Sequence, residues 1–186
     1  MMSKAPSIDV HSHFFPRTFL DLINKQGDRY SVSCSFENSA GPVIVMNGHS
    51  LLPLEQRFID LEARLHSMDD QGVDMHALSL TMPMVYWASP DLSRQLSEAF
   101  NDACVAAHEQ YPDRFVGLAM LPMQEPGLAL AELERVADHP AIRGVYMATR
   151  IRERELSDPA FFDVYERIED LGLTIFLHPV TVVDPD

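Results

Sequence analysis

The chain has 186 residues, 46% hydrophobic and 23% charged, a balance that excludes a disordered tail or a membrane bundle and suits one domain with a sizeable core. Lys and Arg number 14 against 28 Asp and Glu, so the net charge of −14 repels phosphate backbones and excludes general nucleic-acid binding. Cys34 and Cys104 form no CxxC pair, which argues against a disulfide framework or a thiolate zinc site.

No apolar run is long enough to cross a bilayer, and Met1-Met2-Ser3-Lys4 has no apolar segment behind its lysine, so the reading is a cytoplasmic protein. Ser7-Ile8-Asp9-Val10 is a short extended run leading into His11. Residues 27–53 break the pattern with Ser, Asn and Gly around Val43-Ile44-Val45, and read as an insertion holding a small hairpin and covering the site. Leu54, Phe58, Leu61, Leu65 and Met68 then repeat at helical spacing, which predicts one helix closed by Gly72. A second strand is read over residues 74–80. Ser89-Pro90 opens a helix whose stripe is Leu92, Leu96, Phe100, Ala103 and Ala107. The third strand, residues 115–121, ends at Pro122. Pro126 starts a helix with Leu130, Leu133, Val136 and Ala137 inward, and residues 144–148 form the fourth strand. Asp158-Pro159 begins a last helix through Phe162, Tyr165 and Ile168, stopped by Gly172. Residues 173–177 form the fifth strand, closed by His178-Pro179.

Alternating βα units make this an α/β chain, either a doubly wound sheet or part of a (β/α)8 barrel. A complete barrel needs eight strands and about 250 residues. The five units read here predict an incomplete barrel whose first and fifth strands are unpaired edges.

The chemistry begins at Asp9-Val10-His11-Ser12-His13. Side chains at i and i+2 of a strand share a face, so His11 and His13 point together at the strand's C-terminal end. Two imidazoles at this spacing form half a metal site, and an HxH pair also arises by chance. His178 ends the fifth strand on the same side of a parallel sheet and completes a candidate trio. A backbone-satisfied strand-end histidine is the alternative. Three neutral imidazoles leave an ion its full charge, able to acidify a bound water or polarise a substrate oxygen. His76 reads as a core or helix-facing residue.

These stretches resemble a family. The run from Asp9 to Pro16 (DVHSHFFP) resembles the opening metal motif of the amidohydrolase superfamily. Residues 64–73 (RLHSMDDQGV), 115–124 (FVGLAMLPMQ) and 174–179 (TIFLHP) are similar to its 2-amino-3-carboxymuconate-6-semialdehyde decarboxylase group. The resemblance implies a (β/α)8 barrel, a divalent metal, most often zinc, and His11, His13 and His178 as its ligands, with His178 also catalytic. It implies that Arg64 holds a substrate carboxylate; a salt bridge to an Asp or Glu is the bland alternative. Phe14 and Trp87 would line the pocket, or pack. Arg150 stands where the group tends to have a histidine, and reads either as a second cation at the mouth or as a solvated charge. The family's sixth-strand histidine and eighth-strand aspartate have no counterpart here; Asp184 and Asp186 lie too close to the fifth strand. The chain is thus expected to be the N-terminal portion of a longer enzyme.

The resulting expectation is a metal-dependent decarboxylase acting on an unsaturated or aromatic carboxylic acid, a small-molecule partner, with a homodimer as its assembly. The alternatives are a metal-dependent hydrolase of the same superfamily, and a non-catalytic fragment that needs its C-terminal half.

Overall fold

The computed structural model describes residues 5–51 and 53–179. It opens with β1 (Ile8–His13) and passes through Pro16 into α1 (Arg17–Gln26). The sequence reading passes over α1, a ten-residue helix whose polar face dominates its composition. Its apolar side is nevertheless helical in spacing: Phe19, Leu20 and Ile23 are fully buried.

The insertion is larger than one hairpin. β2 (Val32–Ser35), β3 (Val43–Met46) and β4 (His49–Ser50) form a three-stranded antiparallel sheet. The β3–β4 loop is Asn47-Gly48, both at positive φ, as a tight hairpin of this hand requires.

The single helix expected from Leu54 to Gly72 is two. α2 (Gln56–Ile59) ends at Asp60, whose backbone is extended, and α3 (Leu61–Gln71) starts there. The Asp60 carboxylate accepts a 2.8 Å hydrogen bond from the Ala63 N–H and caps the new helix. Gly72 closes α3 in the left-handed conformation, as expected.

β5 (Met75–Ser79), α4 (Pro90–Gln110), β6 (Phe115–Met120), α5 (Pro126–Val136) and β7 (Ile142–Ala148) follow as alternating units. Ser89 caps α4 with Pro90 in its first turn. Gly117 lets α4 lie close on β6, because a Cβ there would fall 2.7 Å from that of Cys104. Asn101 of α4 bonds the backbone N–H and carbonyl of Met120 at 2.9 and 3.0 Å, and also Glu132 of α5 at 2.6 Å. Glu132 is buried, and Arg135 neutralises it at 2.7 Å. Ala129, Leu133 and Val136 form the rest of the buried face of α5.

β8 (Arg150–Ile151) and β9 (Arg154–Glu155) form a small hairpin beyond β7. A 3-10 turn over Pro159–Phe161 leads into α6 (Phe162–Asp170) and then β10 (Thr174–His178). That turn shifts the buried face of α6 by one residue. Phe161, Val164 and Ile168 point inward, while Phe162 is 53% exposed.

The main sheet has the order β1-β5-β6-β7-β10, with every pair parallel. Strands adjacent in space follow one another in the chain, as in the first five units of a (β/α)8 barrel. β1 and β10 are the two ends, as expected. All C-terminal strand ends therefore lie on one side. Among the described residues no helix is long and apolar enough to cross a membrane.

Candidate metal centre

Register decides which side chains meet. His13 pairs with Ser79, and Ser12 with Leu78. Between Asp9 and Ser12, β1 advances three residues while β5 advances two, from His76 to Leu78. One extra residue is thus accommodated in β1 as a bulge. Asp9 and Ser12 consequently share the face of His76 and Leu78. His13 shares the opposite face with Ser79.

On that second face the three predicted histidines converge. One ligand-capable nitrogen from each of His11, His13 and His178 lies within 4.8 Å of the others. The Nε2 atoms of His11 and His13 are 3.0 Å apart. Two nitrogens about 2.1 Å from one tetrahedral ion would lie roughly 3.4 Å apart, so a small outward adjustment accommodates an ion.

The chemistry of the trio fits a metal. The Ser79 hydroxyl proton is directed either to the Ser12 carbonyl at 3.4 Å or to Tyr146, and in both cases its oxygen accepts from His13 Nδ1–H at 3.1 Å. That fixes the tautomer and leaves Nε2 of His13 a bare lone pair. Burial, followed by His11, His178 and Arg64, lowers the His13 pKa to about 4. Burial and then His11 also lower that of His178. Both rings are therefore neutral ligands near pH 7. Nδ1 of His178 is buried with no hydrogen-bond partner among the described residues, as a nitrogen kept for an ion would be.

Sequence reasoning missed the residues around the trio. Ser79 is fully buried beneath His13. Thr81 places its hydroxyl 3.4 Å from His178 Nε2. The Tyr146 ring lies 5.6 Å from that of His178 and 6.2 Å from that of His13. Burial raises the Tyr146 pKa, with a hydrogen bond from Ser79 opposing. Strand alternation carried the signal for two of them: once His13 is placed inward, Ser79 of β5 and Tyr146 of β7 follow by parity.

Of the other expected site residues, Arg64 shares a cavity with His11, His13 and Arg57 but is engaged with the protein, while Phe14, Arg150 and Trp87 lie elsewhere. Arg64 is 4% exposed and lies behind β1, on the face opposite His13. Its guanidinium donates to the Ser12 hydroxyl at 2.5 Å and to the His13 carbonyl. Among the described residues no carboxylate pairs with it, so the alternative salt bridge is not formed there. This geometry turns its two terminal nitrogens to the protein rather than to a ligand. Phe14 is 4% exposed, joins the core, and lies 5.6 Å beneath the Arg64 guanidinium. It packs behind the strand instead of lining the trio's face. Arg150 is half exposed and pairs with Glu155 at 3.4 Å and Glu153 at 3.7 Å, the solvated alternative. Trp87 follows β5 on the rim; its Nε1 donates to the Met84 carbonyl and its ring meets Tyr30 of the insertion at 5.8 Å. His76 is helix-facing, as expected, and bonds Ser12 at 2.7 Å.

Comparison with known proteins sets this geometry in context. The chain is 29% identical over 181 residues to 2-amino-3-carboxymuconate-6-semialdehyde decarboxylase of Dictyostelium discoideum, covering 96% of this chain and 50% of that protein. It is 28% identical over 161 residues to gamma-resorcylate decarboxylase of Rhizobium radiobacter, covering 82% of this chain and 48% of that one. It thus spans about half the length of both curated relatives. In fold it matches 5-carboxyvanillate decarboxylase of Novosphingobium aromaticivorans, solved in complex with manganese and a nitrobenzoic acid, with a TM-score of 0.78. That match has 22% identity and covers 99% of this chain and 54% of the other. The amidohydrolase family matches residues 8–185, a span that holds every strand of the sheet and all three histidines, and the chain belongs to that family.

Proposed function

We propose that this chain carries the metal-holding portion of a metal-dependent decarboxylase acting on an aromatic or unsaturated carboxylic acid. The observation that carries the reading is the convergence of His11, His13 and His178 on one face at the strand ends. The curated relatives, both decarboxylases, supply the reaction class. When bound, a divalent ion supplies the positive charge against which an acidic substrate is held and an oxygen polarised.

The chain's own residues prepare the site. Ser79 orients His13, and His11 and His178 complete the donor set. The Thr81 hydroxyl stands beside His178, and Tyr146 presents an aromatic ring within reach of a planar substrate. Three imidazole nitrogens suit zinc, and manganese is the ion bound by the 5-carboxyvanillate enzyme. A cytoplasmic setting and a homodimeric assembly complete the proposal.

The test is metal content followed by a carbon dioxide assay. The purified chain should retain about one zinc or manganese ion. The protein should then release carbon dioxide from gamma-resorcylate or 5-carboxyvanillate. Hydrolysis of an ester or lactone with no carbon dioxide from any carboxylate would overturn the decarboxylase reading and favour the hydrolase.

A further inference from the structure

The face of β1 turned away from the three histidines holds a set of polar contacts that the proposed chemistry does not use. We infer that Arg64, acting with Ser12 and His76, and Asp9, acting on the His11 N–H, form a clamp that fixes the bulged His11-Ser12-His13 segment from behind and so sets the geometry of two metal ligands. The inference rests on the metal reading above and assigns Arg64 as a positioning residue.

The argument starts with donors and acceptors. Arg64 Nη1 donates to Ser12 Oγ at 2.5 Å, so the Ser12 hydroxyl is free to donate its proton to His76 Nδ1 at 2.7 Å. That makes Nδ1 of His76 the acceptor and leaves the proton on Nε2. His76 Nε2 lies 3.8 Å from Asp9 Oδ2. The other oxygen of Asp9 accepts from the His11 backbone N–H at 2.8 Å. At the far end, Arg64 Nη2 donates to the His13 carbonyl. The tripeptide is therefore gripped at its first N–H by Asp9, at the central Ser12 hydroxyl by Arg64 and His76, and at its last carbonyl by Arg64.

The location explains the need. β1 is bulged between Asp9 and Ser12, so the ladder to β5 is interrupted at Val10 and His11 and resumes at Ser12 and His13. Side-chain bonds hold the segment across that interruption. Arginine suits the task because its fork reaches two acceptors at fixed separation, whereas lysine reaches one flexibly. Burial of Arg64 and His76, at 4% and 8% exposure, shields these bonds from water.

The test uses cobalt as a spectroscopic probe of the full chain. Arg64→Met, Arg64→Lys and Ser12→Ala are compared with Arg57→Met, an arginine on the rim of the same cavity that bonds neither β1 nor a histidine in this structure. The clamp predicts that Arg64→Met and Ser12→Ala lower cobalt affinity about 10- to 100-fold and alter the visible cobalt spectrum. Arg64→Lys should recover part of the affinity, and Arg57→Met should match the parent. Parent-like affinity and spectrum in folded Arg64→Met and Ser12→Ala would overturn the clamp. Ser12→Ala keeps the arginine and serves if Arg64→Met does not fold. A parent chain that takes no cobalt would overturn the metal reading instead. The clamp is then decided by amide hydrogen exchange at His11 and Ser12, which must quicken in Ser12→Ala but not in Arg57→Met; unchanged exchange would overturn it.

Discussion

The two faces of β1 differ in how their polar groups are satisfied. The inward face carries His11 and His13, which meet His178 of β10 with few protein partners, and one His178 nitrogen has none among the described residues. The opposite face meets Arg64 and His76, both bonded to Ser12, while Asp9 holds the His11 N–H. The inward face is built to receive a ligand, and the opposite face to hold the strand. Side chains of one hexapeptide are thus divided between chemistry and support, and the bulge makes that division possible.

Substitutions should separate the faces. His178→Ala should abolish tight metal retention while changing metal-free stability by less than about 1 kcal/mol, since it removes one weak hydroxyl contact. Arg64→Met should show the reverse balance. It strips donors from a buried hydroxyl and a carbonyl, and should cost about 1–3 kcal/mol in urea unfolding of the metal-free chain. Equal stability losses in the two variants would erase the distinction.

Proton uptake sharpens the comparison, because His76 is depressed on one face and His13 and His178 on the other. His13 and His76 both titrate at about 4 when folded, against an ordinary 6.5, with burial as the main cause. Between those values the unfolded chain binds protons that the folded chain refuses. Metal-free stability should therefore be full above pH 6.5, decline as the pH falls towards 4, and flatten below it. Urea midpoints across that range measure the slope. His76→Asn should remove its share, leaving those of His13 and His178. The smallest effect belongs to a residue on neither face. Arg150→Ala should shift stability by no more than about 0.5 kcal/mol and leave metal binding unchanged, as exposed ion pairs contribute little.

Much of this was legible in the sequence. The five strands, the caps at Ser89 and Asp158, and the glycine stop at Gly72 are local signals, and each appears where its chemistry places it. The convergence of His11, His13 and His178 follows from parity and parallel strand direction. What was not legible depends on long-range register. A resemblance names Arg64 but not its face, and one extra residue in β1 decides what lies behind the strand. Phe14 was read beside the histidines because it is adjacent to them in sequence, yet it turns into the core. Arg150 was read at the mouth because it ends a strand, whereas a two-residue hairpin carries it to Glu153 and Glu155. The break between α2 and α3 hid inside an unbroken apolar stripe, and Asp60 was its only mark.

The contact between Trp87 and Tyr30 has an optical consequence. Trp87 is the chain's single tryptophan, and its ring meets Tyr30 in the 27–53 segment edge-on at 5.8 Å. Fluorescence of the unmodified protein therefore comes from one place, the junction between the β5–α4 loop and that segment. Loosening of the junction would change emission and tyrosine-to-tryptophan energy transfer while the circular dichroism of the helices stays constant. Stopped-flow mixing with a candidate ligand could thus time the movement of this rim without any label.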